Sequence, residues 1–360
     1  MSDEFYMNRA LSLAKRGRGF VSPNPLVGAV IVKNGKIISE AYHKKFGSHH
    51  AERAAILKCN PHDLKGSTLY VNLEPCSHFG KTPPCTQIII SAGIKKVVIG
   101  QKDPNPLVNG KGIKILQEHG INVKTGVLEK ECIELNEVFN KYMLKNEPYI
   151  TLKIAQTIDG MIATKKGMSK WITCEESRKK VHKLRRDHDA VLVGISTVLT
   201  DDPQLTVRKV KGSTRRIILD SKLRIPFNSA VVKSAESVET IIVTTNESSR
   251  GKESKLVSTG CKVLRVKKNT AGMIDLNEFL FIAAKNGISS ILVEGGRKIF
   301  TEFIRLNKFD RLIVFTAPKI FGQGINSIGN LHITDPEKAV TFARYSWAKS
   351  GSDIMFDGRL

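Results

Sequence analysis

Long apolar runs, a cysteine framework and low-complexity tracts are all missing from this sequence. Without a stretch of about 18 uninterrupted apolar residues, hydropathy gives no membrane-spanning helix. The opening segment, MSDEFYMNRALSLAKRGRG, lacks a basic region followed by an apolar run, so a cytoplasmic protein with no membrane partner is expected. Six cysteines in 360 residues (Cys59, Cys76, Cys85, Cys132, Cys174 and Cys261) are too few and too irregular for a disulfide scaffold. Reduced thiols or metal ligands remain. No internal period marks a repeat protein, and the second half has no G-x-G-x-x-G, so a Rossmann dinucleotide site is not indicated there.

What is present fits a globular protein, with 41% hydrophobic and 25% charged residues. The length favours two domains, each able to bury its own core. The net charge of +23, from 57 basic and 34 acidic residues, suits nucleic acid or a smaller phosphorylated ligand. These cations are spread along the chain, which favours plain surface bias.

An opening helix with Phe5, Ala10, Leu11 and Ala14 at helical spacing leads into LVGAVIVKNGKIIS, where Asn34-Gly35 reads as a hairpin turn. The helix HAERAAILKC follows and gives way to a loop at Asn60-Pro61. The strand STLYVNLE then delivers Glu74-Pro75-Cys76, and a second helix begins near Cys85. Further strands (KKVVIG, INVKTGV) alternate with helices (IKILQEHG, ECIELNEVFNKYMLKN), as in a layered α/β domain. Pro148 ends this unit, giving domains 1–147 and 148–360. Beyond it YITLKIAQTIDGMIAT, DAVLVGISTVL, RRIILD, ETIIVTT, CKVLRV, SSILVEGG and RLIVFTAPKI are strand candidates of a second α/β domain.

His50 opens a helix with Glu52 two residues on, Cys76 ends a strand, and Cys85 starts the next helix. One imidazole and two thiolates suit tetrahedral zinc and leave a fourth position for an acidified water. This is the zinc-deaminase pattern H-x-E followed by P-C-x-x-C, with the glutamate moving protons and not binding metal. Alone, a His-x-Glu pair is usually solvated and a buried cysteine is usually packing; together and in order they argue for one zinc per chain. His49 and His78 fall outside the ligand pattern. The second cysteine lies nine positions after the first, where the general pattern has three.

The residues filling that gap, EPCSHFGKTPPC, resemble those of the riboflavin-biosynthesis deaminases. With NPLVGAVIV, HKKFGSHHAE, DPNPLVNGKG, LKIAQTIDGMIAT, SKWIT, DDPQLTVR and VEGG, essentially the whole chain is similar to the bifunctional family in that pathway. Its members fuse a diaminohydroxyphosphoribosylaminopyrimidine deaminase to a 5-amino-6-(5-phosphoribosylamino)uracil reductase. The resemblance implies a cytidine-deaminase-like three-layer α/β/α domain and a dihydrofolate-reductase-like α/β domain using NADPH. It implies a phosphorylated pyrimidine ribotide as substrate, with a homo-oligomer as the expected assembly. Substrate contacts implied in the first domain are Asn24, His43, Lys81, Thr82 and Asn105, with Asn24 suited to a pyrimidine edge and His43 and Lys81 to a phosphate. In the second they are Lys153, Ser169, Arg185, Asp202, Leu205, Arg208 and Glu294, the arginines being matched to a phosphate by their bidentate geometry. Cofactor contacts implied are Ala155, Asp159, Trp171, Thr173, Gly194, Thr197, Asp201, Ser221, Gly295 and Gly296. The glycines would offer bare backbone amides to a pyrophosphate. Either Asp201 or Asp202 would donate the proton in the reduction, and Trp171 has core packing as its alternative role. TIDG has threonine where relatives often have serine, a conservative departure.

Two rivals stand beside this reading. A nucleic-acid deaminase would share the zinc chemistry and use the positive charge, but leaves the second domain unexplained. A zinc-stabilised binding module needs a closed four-ligand site, which Glu52 and the missing fourth ligand oppose.

Overall fold

A computed structural model describes residues 1–79, 83–106 and 108–360. The chain divides into two compact units, Met1–Asn146 and Glu147–Leu360. Asn146 ends the last helix of the first unit in a left-handed conformation. Glu147 goes with the second unit, where its carboxylate pairs with Lys308 at 2.9 Å.

In the first unit the elements run α1 (Asp3–Ala14), β1 (Gly28–Lys33), β2 (Lys36–Tyr42), α2 (Ala51–Ile56), α3 (Pro61–Leu64), β3 (Thr68–Leu73), α4 (Cys85–Ser91), β4 (Lys96–Gln101), α5 (Lys111–Glu118), β5 (Asn122–Lys124), α6 (Glu129–Leu135) and α7 (Glu137–Lys145). The sheet order is β2-β1-β3-β4-β5. Asn34 and Gly35 both take positive φ, so the hairpin turn has the twist that joins β1 to β2. Alternate residues of the central strands bury on opposite faces. Ala29, Ile31, Leu69 and Val71 pack with Ala55, Ile89 and Leu116, while Val30, Val32, Tyr70 and Val98 pack with Met7, Ala10 and Leu135. Helices therefore cover both faces, giving three layers. Two details depart from the sequence reading. Asn60-Pro61 starts the short α3, with the Asn60 side chain capping it. The segment expected as one helix is broken at Asn136, whose buried amide holds the Leu26 backbone through both N–H and C=O.

The second unit runs β6 (Tyr149–Thr157), β7 (Met161–Thr164), α8 (Glu175–Asp187), β8 (Ala190–Gly194), α9 (Ile195–Asp201), β9 (Arg215–Leu219), α10 (Ala230–Lys233), β10 (Thr240–Thr245), α11 (Arg250–Val257), β11 (Lys262–Val266), α12 (Leu276–Lys285), β12 (Ser290–Val293), α13 (Arg297–Arg305), β13 (Arg311–Ala317), β14 (Gly324–Asn326), β15 (Arg344–Ser350) and β16 (Asp353–Arg359). Its main sheet has the order β11-β10-β9-β8-β12-β6-β13-β16-β15, parallel from β11 through to β13 and antiparallel beyond. Phe279, Phe300 and Phe303 cover one face and Val198, Val231 and Leu256 the other. DAVLVGISTVL is a strand only as far as Gly194, after which it turns into α9. The β15–β16 hairpin is not among the strand candidates: β15 is exposed along six of its seven residues, and its apolar content is limited to the aromatic rings Tyr345 and Trp347, which lie against Phe356, and Ala348. Among the described residues, no helix is long and apolar enough to cross a membrane.

Candidate active sites

In the first unit three chain segments converge. His50 is the residue before α2, Cys76 follows β3 by three residues, and Cys85 is the first residue of α4. His50 Nδ1 lies 3.5 Å from Cys76 Sγ and 3.4 Å from Cys85 Sγ, and the Cys85 backbone N–H points at Cys76 Sγ at 3.3 Å. Zn–N and Zn–S bonds of about 2.0 and 2.3 Å at a tetrahedral angle separate N from S by about 3.5 Å, so the spacing fits zinc. The donor chemistry agrees. Hydrogen bonding from Cys85, with His50 beside it, draws Cys76 down to about 4, while Cys85, sharing that bond and deeply buried, is pushed up. Among the described residues, these three alone form a group of metal-ligating side chains.

Glu52, two residues beyond His50, is 3% exposed, and among the described residues its Oε2 has no hydrogen-bond partner. Burial raises it to about 6, within range of proton exchange at neutral pH. A cleft of about 250 Å³ opens over it, lined by Asn24, His43, Cys76, His78, Asp103 and Asn105 among others. His43 donates from Nδ1 to the His49 carbonyl (3.0 Å), which leaves Nε2 to accept from the Asn24 amide at 3.2 Å. Burial also lowers its pKa. Both ring nitrogens are thus engaged, and His43 orients Asn24. Lys81 and Thr82 lie outside the described residues.

Two cleft features went unassigned in the sequence. Asp103 is raised to about 6 by burial. Glu74 sends both carboxylate oxygens to backbone amides of the segment after β4. Their position inside EPC and DPNP was the only available signal.

In the second unit Lys153 on β6, Arg185 on α8 and Glu294 at the end of β12 form a buried charge cluster. Arg185 meets Glu294 in bidentate fashion at 2.5 and 2.9 Å, and Lys153 Nζ lies 3.8 Å from the same carboxylate. Burial would raise Glu294, but the charge and hydrogen bonds of Arg185, with Lys153, bring it to about 2. The Arg185 fork expected at a phosphate is thus committed to Glu294, and its remaining arm holds the Thr206 carbonyl at 3.1 Å. Arg208 keeps an exposed guanidinium that donates to the Gln204 side chain at 3.1 Å, while its backbone N–H is received by His182, a residue with no sequence signal. Leu205 between them is buried and left-handed.

Asp201, the last residue of α9, accepts from Ser169 Oγ at 3.2 Å, and its carbonyl from Lys170 Nζ. Asp202 turns away and accepts from the Ala230 amide. Trp171 is 66% exposed under the Arg178 guanidinium, so its core-packing alternative does not hold. Arg178 also bonds the Thr173 carbonyl. Gly194 and Gly296 precede α9 and α13, which start from the neighbouring strands β8 and β12. A Cβ on Gly194 or Gly295 would meet Ile299 at 3.0 or 2.9 Å, and one on Gly296 would face Thr197 Oγ1 at 4.0 Å. Gly194 and Gly295 are thus needed to clear Ile299, while Gly296 leaves room beside Thr197, and the two helix starts lie side by side where a pyrophosphate could approach. Ser221 follows β9 and receives Thr244 and Thr245 hydroxyls on its carbonyl. Ala155 is half-buried on β6 opposite Phe315. Asp159 is spent on Thr157 and the amides of Phe321 and Gly322, which makes its place structural in this arrangement.

Comparison with known proteins agrees with both halves. Residues 1–101 match the cytidine and deoxycytidylate deaminase zinc-binding region, and residues 148–356 match the RibD C-terminal domain. The riboflavin biosynthesis protein RibD of Aquifex aeolicus is 48% identical over 98% of this chain and 97% of its own. That of Escherichia coli is 39% identical over 92% of each. Among solved structures, Acinetobacter baumannii RibD superposes with a TM-score of 0.90 at 34% identity, covering 99% of this chain and 98% of its own. A diaminohydroxyphosphoribosylaminopyrimidine deaminase/5-amino-6-(5-phosphoribosylamino)uracil reductase from Thermotoga maritima gives 0.85 at 40% identity, with the same coverage.

Proposed function

The chain belongs to the bifunctional deaminase–reductase family of riboflavin biosynthesis, and from that premise we propose its substrates and the residues that act on them. It is an enzyme with a zinc-binding deaminase region and a reductase domain. The first unit would deaminate 2,5-diamino-6-(5-phosphoribosylamino)pyrimidin-4(3H)-one. The second would reduce the ribosyl chain of the product to ribityl, with NADPH as the nicotinamide. The observation that carries the deaminase reading is the His50–Cys76–Cys85 cluster with the buried Glu52 carboxylate beside it, whose Oε2 has no partner among the described residues.

His50, Cys76 and Cys85 would hold one zinc per chain, which when bound acidifies a water and so supplies the nucleophile at neutral pH. Glu52 would take up a proton from the attacking water and return protons to the ring nitrogen and the departing ammonia, a task its raised pKa suits. Asn24, fixed by His43, reads the pyrimidine edge, and Asn105 contacts the substrate from the opposite segment. Lys81 and Thr82 keep their place as proposed phosphate-side contacts through the family pattern alone.

In the reductase, Lys153 would face the ribosyl chain; burial lowers its pKa, and the fixed Glu294 anion beside it offsets part of that lowering. Ser169 and Arg208 extend that side, with the exposed Arg208 guanidinium, bonded to Gln204 on one arm, as the candidate for the phosphate. Asp201 is the better proton donor, because it faces Ser169 while Asp202 caps Ala230. Reduced nicotinamide, when bound, supplies the hydride; Gly194, Thr197, Gly295 and Gly296 would take its pyrophosphate, with Trp171, Thr173 and Ser221 as further contacts. Metal analysis tests the deaminase half. One zinc per chain should be found, and a chelator should abolish ammonia release while NADPH oxidation on the deaminated ribotide continues. Ammonia release that persists without metal would refute it.

A further inference from the structure

Glu74 is 3% exposed, directly follows β3 and precedes Cys76 by two residues. A buried carboxylate normally has a cation beside it. This one instead takes four backbone N–H groups from the segment after β4. Its Oε2 accepts from Asp103 at 3.2 Å and Gly110 at 2.9 Å, and its Oε1 from Gly112 at 3.0 Å and Ile113 at 3.3 Å. Such bonds to an ionised acceptor are roughly twice as strong as neutral ones, and four of them satisfy the charge inside the protein.

The bonds tie both ends of DPNPLVNGKG to the strand end that carries a zinc-binding cysteine. Within the segment, Asp103 Oδ1 accepts the Asn105 N–H at 2.8 Å, and the Asn105 carbonyl receives Val108 and Asn109. The packing is close as well. A Cβ on Gly112 would sit 2.2 Å from the Pro75 carbonyl oxygen and 3.2 Å from Glu74 Oε1. Asp103 and Asn105 both line the cleft above Glu52.

We propose that Glu74 is a positioning residue of the deaminase. It latches the Asn105 segment onto the Cys76 strand end, and so sets how tightly the pyrimidine ribotide is held, with little effect on the deamination step. The inference rests on the assignment of Asn105 to the substrate. A residue that merely supports the fold would move zinc content, turnover and thermal stability together. A latch on the binding segment moves KM.

The test uses the full zinc-loaded chain and three variants, Glu74→Gln, Gly112→Ala and Asn105→Ala. KM and kcat for ammonia release from the diaminopyrimidine ribotide are measured with zinc content, and the reductase rate on the deaminated ribotide serves as internal control. Glu74→Gln keeps the side chain's shape but turns one acceptor into a donor facing two N–H groups. Gly112→Ala spares the carboxylate and forces the segments apart, so it tests the latch even if the first variant folds poorly. For both, KM should rise by about 10-fold or more with kcat within about 3-fold, the signature of lost binding that ground and transition states share. Zinc content and the reductase rate should match the parent. An unchanged KM in both latch variants, with KM raised in Asn105→Ala, overturns the latch while sparing Asn105. Loss of zinc and kcat at unaltered KM overturns it as well, making Glu74 a fold clamp. An unaltered KM in Asn105→Ala overturns the assignment of Asn105, and the latch with it.

Discussion

Glu52 and Glu294 are both buried carboxylates, driven in opposite directions by their neighbours. Burial raises Glu52 to about 6, whereas Arg185 and Lys153 bring the equally buried Glu294 down to about 2. The first can exchange protons at neutral pH, whereas the second is a fixed anion. Replacing Glu52 by Gln should therefore cut ammonia release by about 10²–10⁴-fold, the usual contribution of a general acid–base group, at unchanged zinc content. Turnover close to the parent's would remove Glu52 from proton transfer. For Lys153→Ala, NADPH oxidation on the deaminated ribotide should fall by about 10–100-fold, as expected for a lost charged hydrogen bond of about 1.5–3 kcal/mol. Full activity in that variant would make Lys153 a partner of Glu294 and nothing more. The metal ligands could be read in the sequence because each sits at an element end in a recognisable order. Glu74, His182 and the His43–Asn24 bond could not, because their partners lie many residues away and any polar residue type fits such a role.

Elements whose apolar pattern was strong emerged as expected, including β1, β3, β4, β6 and the parallel strands β8 to β12. Failures came where tertiary contacts overruled the local pattern. Asn136 breaks a helix to hold Leu26, and β15, at the edge of its sheet, stays exposed along six of its seven residues, with only Tyr345 and Trp347 packed on Phe356. One contact between elements also carries a pH dependence. His188, directly after α8, donates from Nδ1 to Leu184 and accepts at Nε2 from Thr151 of β6. Burial lowers it to about 4. The unfolded chain binds this proton more readily, so the second unit's stability is full above pH 6.5 and declines as pH falls toward 4. A drop of this size in pKa corresponds to about 3 kcal/mol at most. Denaturant unfolding across that range should show the loss, and His188→Asn should flatten it. An identical slope in the variant would assign the acid sensitivity to other groups.

At the scale of the whole molecule, two units with separate cores match two separate reactions. The rival nucleic-acid deaminase loses its ground, since it has no use for residues 148–356, which match a reductase domain. The charge of +23 suits anionic substrates in both reactions without choosing among them, and could not have identified either. The order of the reactions is the central claim, and it can be followed in one cuvette. The zinc-loaded chain is mixed with the diaminopyrimidine ribotide and NADPH, and ammonia release and NADPH oxidation are recorded together. Ammonia should appear first, NADPH should be consumed after a lag and in equal final amount, and Glu52→Gln should abolish both signals until deaminated ribotide is added. NADPH oxidation in that variant before the addition, or ammonia release with no NADPH oxidation in the parent, would contradict the account.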